Sequence, residues 1–307
     1  MLTGAAGQLG WELQARLSGL GHLTSFHRAE LNIGDADAIR LVVRRLRPDL
    51  IVNAAGYTAV DQAETEPEMA MRVNGAGPGV LAEEAKRVGA ALISYSSDYV
   101  FDGNSTQPYT EEDRPNPLSA YGRSKLAGDQ SIASVDGSYL IFRTSWVYTE
   151  RNRNFVLAVL KLAKERAELR IVNDQVGAPT PGSLIADYTS KIIAGAREQG
   201  SNCSVAEVLR ERRGLYNLVC GGQVSRYEFA KEVLRLFLPQ NPARVVPVPS
   251  SEFTKSARRP SFSVLSTQKL EHTFGLKPPP WQVTLERFAA GMRNHVAPVK
   301  EIPGPGA

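Results

Sequence analysis

Cysteine is scarce in this sequence: Cys203 and Cys220 are the only two in 307 residues. Two thiols build no disulfide framework, which fits a reducing cytoplasm. Histidine is equally sparse, and His22, His27, His272 and His295 show no metal-ligand spacing, so no zinc centre is expected. No apolar run approaches the about 18 residues that span a bilayer. A glycine-rich loop begins at Gly4, so no signal peptide is expected ahead of the fold, and the chain reads as soluble and cytoplasmic. Charge of one sign is lacking too. The formal net charge is only +4, and clusters such as Arg44-Arg45-Leu46-Arg47 and Arg210-Glu211-Arg212-Arg213 read as solvated helix faces. Neither a nucleic acid nor a membrane is therefore expected as a partner.

What is present is the material of a globular α/β protein. Hydrophobic residues make up 42% and charged residues 22%, a balance that excludes extensive disorder. The first half alternates short apolar runs with amphipathic stretches, the pattern of a parallel sheet. Strands are predicted at 23–26, 50–53, 91–96 and 139–144, and helices at 8–18, 36–46, 66–88 (broken near Gly77-Pro78) and 119–132. The fold class is a doubly wound parallel-sheet Rossmann domain over 1–150 with a smaller α/β C-terminal substrate lobe over 151–298. Within that lobe, helices are predicted at 154–165, 181–196 and 225–237, and a strand near 215–219 that returns to the sheet. Residues 299–307 read as a disordered tail.

Gly4, Gly7 and Gly10 have G-x-x-G-x-x-G spacing and run straight into a helical pattern. Glycines let such a loop approach a dinucleotide pyrophosphate, and the helix N-terminus offers it free N–H donors. A first strand of about five apolar residues is expected before the loop, yet only Met1-Leu2-Thr3 precede it. The sequence thus reads as truncated there, or as starting late, at the cost of apolar contacts in the sheet centre. After the second strand stand His27-Arg28, with Glu30 further on. Arg28 favours the 2′-phosphate of NADPH, with NADH as the alternative cofactor, unless it is simply a surface residue. Asn53-Ala54-Ala55-Gly56-Tyr57-Thr58 closes another strand with small residues, suited to a cofactor or to tight strand–helix packing.

The most informative stretch is Tyr121-Gly122-Arg123-Ser124-Lys125. Tyrosine and lysine at i and i+4 share a helix face, so the ammonium is expected to lower the Tyr121 phenol and ready it for proton exchange. One strand-to-helix unit earlier, Ser94-Tyr95-Ser96-Ser97-Asp98-Tyr99 places hydroxyls at a strand's carboxyl end, where a doubly wound fold binds ligands.

Glycine loop, serine-bearing strand end and Y-x-x-x-K, in this order, resemble the extended short-chain dehydrogenase/reductase superfamily. Within it the chain is similar to the dTDP-4-dehydrorhamnose reductase family, from Gly4 to about Phe288. The specific strings are Gly-Gln-Leu-Gly-Trp-Glu-Leu-Gln (7–14), Arg-Pro-Asp-Leu-Ile-Val-Asn-Ala-Ala (47–55), Thr-Ala-Val-Asp-Gln-Ala-Glu (58–64), Arg-Thr-Ser-Trp-Val-Tyr (143–148) and Asn-Asp-Gln-Val-Gly-Ala-Pro-Thr (173–180), with Arg258-Arg259-Pro260 near the end. The resemblance implies reduction of a dTDP-sugar ketone, with Tyr121 as proton donor and Lys125 as its partner and ribose ligand. Ser97, where the family usually has Thr, would polarise the keto oxygen. Asp98 and Trp146 would contact the deoxysugar. Gln8, Leu9, Gly56, Tyr57, Thr58 and Tyr95 would line the dinucleotide, and Asn32 and Ile33 would lie by the adenine. Arg259 reads either as a partner of the substrate diphosphate or as a loop arginine.

Two departures qualify the resemblance. His27 stands where the family often has Asp, in favour of NADPH. Of the glutamates that bridge some members' dimers through magnesium, Glu12 is kept, but Ser183 and Gln282 occupy the matching positions. No metal and at most a weak homodimer are therefore expected. Other readings are a nucleotide-sugar epimerase or dehydratase of the same superfamily, and a non-catalytic subunit like the β subunit of methionine adenosyltransferase. Dehydratases carry an Asp-Glu pair after the central hydroxyl residue, and here Ser97 is followed by Asp98 alone.

Overall fold

Five βα units wind one sheet, and its strand order decides where a ligand can bind. The structure is a computed structural model that describes residues 1–199, 203–253 and 256–296; the expected tail lies outside the described residues. In chain order the sheet strands and their connecting helices are β1 (Leu2–Thr3), α1 (Gln8–Leu17), β2 (Ser25–Phe26), α2 (Ala36–Leu46), β3 (Leu50–Asn53), α3 (Pro67–Met71), α4 (Gly77–Val88), β4 (Ala91–Ser97), α5 (Ala120–Ser134) and β5 (Ser138–Thr144). The second half carries β6 (Val147–Tyr148), α6 (Phe155–Glu165), β7 (Glu168–Val172), β8 (Val176–Gly177), β9 (Thr180–Pro181), α7 (Gly182–Gln199), α8 (Val205–Glu211), β10 (Gly214–Asn217), β11 (Val224–Ser225), α9 (Arg226–Phe237), β12 (Arg244–Val248), α10 (Gln268–Phe274) and α11 (Trp281–Val296).

The six-stranded sheet runs β10-β5-β4-β3-β1-β2, and every pairing in it is parallel. The order reverses between β1 and β3, so a crevice opens at their carboxyl ends. β4 and β5 are the structural spine. All seven residues of β4 are buried, as a strand covered by helices on both faces must be. One face packs under α1, α7 and α8, with Leu13, Ile93, Phe142, Ile185 and Leu209 in its core. The other packs under α2 and α4, with Ile39, Ile51, Leu81 and Leu92. The first strand does form, but with two residues. Leu2 is wholly buried, Val52 N donates to Met1 O at 2.9 Å, and the amino terminus donates to Leu50 O at 2.9 Å.

Local chemistry sets the element ends. Asp35 caps α2, its Oδ1 accepting from the N–H groups of Asp37 and Ala38. The break predicted near Gly77-Pro78 is a π-helical turn spanning Arg72–Ala76, directly before Gly77. Pro78 sits in the first turn of α4, where its missing N–H costs no hydrogen bond, so it does not interrupt the chain there. The smaller lobe packs α6, α9 and α11 around Val159, Phe229, Val233 and Leu285, and pairs β7 with β12.

Candidate active site

The glycine loop after β1 is compact because its glycines have no side chains to keep apart. Gly4 has φ +71°, and a Cβ there would lie 2.4 Å from Ala55 N. Gly10 packs its Cα against the same turn, where a Cβ would meet Gly4 O at 2.1 Å. Gly10 therefore does not line the cavity, contrary to the cofactor role expected for it. It lets α1 sit against the loop. No side chain caps α1 at Gly7, which leaves first-turn N–H groups for an anion.

A cavity of about 510 Å³ runs from this loop to the end of β4. Gly4, Gly7, Gln8, Leu9, Arg28, Asn32, Ile33, Gly56, Tyr57, Thr58 and Tyr95 line its length, and Ser97, Asp98, Tyr121, Lys125 and Trp146 line its far end. Arg259 lies instead in a second cavity of about 830 Å³, between the end of β4 and the smaller lobe. Asn74 of the π turn ties the parts together. It accepts from Tyr57 N at 2.8 Å and donates from Nδ2 to Tyr57 O at 2.9 Å and to Ser124 Oγ at 3.0 Å. The π turn thus pins the Gly56–Tyr57 loop to the residue preceding Lys125, an arrangement common where helices serve function.

The reacting end is largely enclosed by protein. Tyr121 faces the Ser97 side chain, and burial pushes its phenol well above the ordinary value, Ser97 opposing that rise. The expected lowering by Lys125 is not what the structure shows. The Lys125 ammonium donates to Tyr95 O, and burial of both groups outweighs their proximity. Burial lowers Lys125 itself, while Asp129, one turn along α5, pulls it back up. Ser97 is held by Asp98 Oδ1, to which it donates at 3.1 Å. Asp98 is only 2% exposed and accepts from Ser145 Oγ at 3.0 Å and Ser263 Oγ at 2.6 Å as well. With its lone pairs so engaged, Asp98 serves as an anchor for Ser97 more than as a free sugar ligand. Burial raises its carboxyl pKa and the three serines oppose that rise.

Among the other lining residues, Thr144 and Arg226 went unread as site residues in the sequence, and Asn53 and Tyr99 stood only within longer stretches. Thr144 stands opposite Ser97 in the β4–β5 register, a pairing that the strand ends alone could have revealed. Asn53 accepts from Thr3 Oγ1 at 2.7 Å and fixes the ends of β1 and β3 together. Tyr99 packs edge-on to Tyr121, ring centroids 5.6 Å apart. Arg226 arrives from α9 in the other lobe, and nothing in its local sequence marks it. Arg259, predicted at the substrate diphosphate, has its fork closed on Asp61, with Nη2 to Oδ2 2.7 Å and Nη1 to Oδ1 3.1 Å. Among the described residues no cluster could hold a metal ion, and no helix is long and apolar enough to cross a membrane.

Known proteins share this arrangement. A family model described as the RmlD substrate binding domain matches residues 1–294. The dTDP-4-dehydrorhamnose reductase of Burkholderia thailandensis is 42% identical over 299 residues, covering 95% of this chain and 96% of its own. That of Escherichia coli K12 is 41% identical over 296 residues, covering 94% and 96%. Among solved structures, the dTDP-4-dehydrorhamnose reductase of Clostridium acetobutylicum superposes with TM-score 0.86 at 35% identity, covering 95% of this chain and 98% of its own. The Bacillus anthracis enzyme, solved in complex with NADP, gives TM-score 0.83 at 34% identity, covering 94% and 98%. Matched over nearly its whole length, the chain belongs to the RmlD family of dTDP-4-dehydrorhamnose reductases.

Proposed function

We propose that this protein reduces the C4 ketone of dTDP-6-deoxy-L-lyxo-4-hexulose to the alcohol of dTDP-L-rhamnose, with NADPH as reductant. The observation that carries the reading is the meeting of Ser97, Tyr121 and Lys125 at one end of a cavity whose other end is the glycine loop. The dinucleotide fits that cavity on this chain's own features. Gly4 lets the loop close against the Ala54–Ala55 backbone, where a Cβ would collide, the uncapped start of α1 suits a pyrophosphate, and Arg28 is the cation near the adenosine end. When bound, NADPH supplies the hydride that reduces the carbonyl carbon.

The protein's part is proton management and placement. Because burial holds the Tyr121 phenol above its ordinary pKa, it is neutral at physiological pH and is an acid with its proton in place. It donates that proton to the oxygen that becomes the alcohol. The Ser97 hydroxyl, whose single proton Asp98 Oδ1 holds before the substrate arrives, turns that proton to the same oxygen as charge develops there. Lys125, while it keeps its proton, contributes positive charge on the Tyr121 face of α5, and its bond to Tyr95 O ties α5 to β4. The second cavity, beyond Tyr99 and Trp146, has the room and the arginines for the nucleoside diphosphate. The test is loss of nicotinamide absorbance on mixing purified protein, NADPH and the keto sugar, with dTDP-L-rhamnose identified as product. No turnover by a well-folded protein that binds NADPH overturns the reading.

A further inference from the structure

Trp146 has φ +47°, a left-handed backbone that a bulky residue adopts only under strain. Its indole lies against Gly177 of β8, where a Cβ would come within 2.6 Å of Cε2. The ring also carries the guanidinium of Arg226, whose Cζ is 3.5 Å from the ring centroid. Phe155 flanks the same guanidinium at 4.9 Å. A strained tryptophan, a glycine cleared for its ring and a second aromatic ring thus fix one arginine.

That arginine stands where the two cavities join. Tyr99, Trp146, Val147 and Arg226 line both, and Arg226 is the charged member of the set. Stacking on an aromatic face leaves the in-plane N–H groups of a guanidinium available to an oxyanion. Arg226 makes no ion pair among the described residues, whereas Arg259 is locked to Asp61. The Tyr99 hydroxyl lies beside both arginines, and Asp98, the nearby carboxylate, is engaged by three serines. Burial makes this site costly for a lone cation, a cost that an incoming anion would offset.

We propose that Arg226, held in orientation by the Trp146 indole, binds the diphosphate of the nucleotide sugar at the junction of the two cavities. The inference deepens the reductase reading, on which it rests for the class of ligand. A diphosphate there puts the attached sugar at Ser97 and Tyr121 and the nucleoside in the outer cavity. Trp146 then acts on substrate binding through Arg226, and not only by touching the sugar.

The experiment is calorimetric titration of the full chain, loaded with NADPH, with dTDP and with thymidine. dTDP carries the diphosphate but no hexose, so it isolates the site from any sugar contact. Arg226→Met should weaken dTDP binding about tenfold to 100-fold, the scale of a charge-assisted hydrogen bond, and leave thymidine binding unchanged. Trp146→Leu should weaken dTDP in the same direction, by less. Arg226→Lys, which keeps the charge and the packing stem, provides a folded comparison if the methionine variant does not fold, and should lose part of the same affinity. Unchanged dTDP affinity in the folded Arg226 variants overturns the proposal. So does equal weakening of dTDP and thymidine, or loss of the diphosphate increment in Arg259→Met alone. If dTDP binds through Arg226 but no keto sugar is reduced, the diphosphate site stands and the proposed reaction falls.

Discussion

Asp129 of α5 and Arg143 of β5 form a buried ion pair, Oδ2 to Nε 3.2 Å, one helical turn from Lys125. Arg143 also lies over the Phe101 ring at 5.1 Å, so the pair fastens the catalytic helix to the sheet. Burial raises the Asp129 carboxyl, and Arg143 and Lys125 pull it down. Removing one member strands the other in the interior, which costs about 3–5 kcal/mol. Asp129→Asn should therefore lower the urea midpoint markedly, while the apolar pair Asp129→Leu with Arg143→Met should recover most of the loss. A double variant as unstable as the single would show that the charges themselves, and not the unpaired partner, are what the fold requires.

Asp98 gives a pH dependence whose sign follows from its burial. Its folded pKa is raised above the ordinary 3.8, so the native state holds the proton more tightly than the unfolded chain. Stability from this group is full below the unfolded value and is lost as pH rises through the folded one. Wild-type stability relative to Asp98→Asn should then be greatest in acid and decline as pH rises from acid through neutrality. Thermal melts of the two proteins across that range measure it directly. A difference that does not change with pH removes Asp98 from the account.

Tyr121→Phe should reduce the rate of keto-sugar reduction by roughly 10²–10⁴, the scale of a positioned acid, with NADPH affinity retained. The alkaline side of the rate profile separates the two residues of the motif. Burial raises Tyr121 and lowers Lys125, so Lys125 is the group that loses its proton first as pH rises. The residual rate of Tyr121→Phe should keep the wild-type alkaline limb, and Lys125→Met should lack it. The reverse pattern assigns the limb to the phenol.

These residues also show what a sequence discloses. The glycine loop, the β4 terminus and the Y-x-x-x-K helix are each local, so spacing placed Gly4, Tyr121, Lys125 and the serines of 94–97 near one cavity, and the resemblance singled out Ser97. The sheet was legible for the same reason, since β3, β4 and β5 are apolar runs between punctuating turns. The two-residue β1 and β2 carry too little pattern to bound. Contacts that join distant parts of the chain were not legible. Arg259 reads as an available guanidinium until Asp61, 198 residues away in sequence, is seen to close on it. Arg226 is unremarkable as the first residue of α9 until the fold sets it on Trp146. The phenol's pKa failed differently: the motif shows the neighbouring cation but not the desolvation, and burial is the larger effect.

Gly177 offers a test of the tryptophan's placement that touches neither charge nor catalytic group. A methyl at this position would lie 2.6 Å from Trp146 Cε2 and 2.8 Å from Cζ2 and Nε1. The indole cannot retreat freely, because its other neighbour is the Arg226 guanidinium and its backbone is already left-handed. Gly177→Ala should thus cost about 1–3 kcal/mol, the range for overpacking a filled site. It should also raise KM for the dTDP-sugar while kcat and NADPH affinity hold, because the displaced ring carries the arginine with it. Stability loss without a change in KM would mean that the indole moves alone, and that its stack on Arg226 is not what orients the substrate.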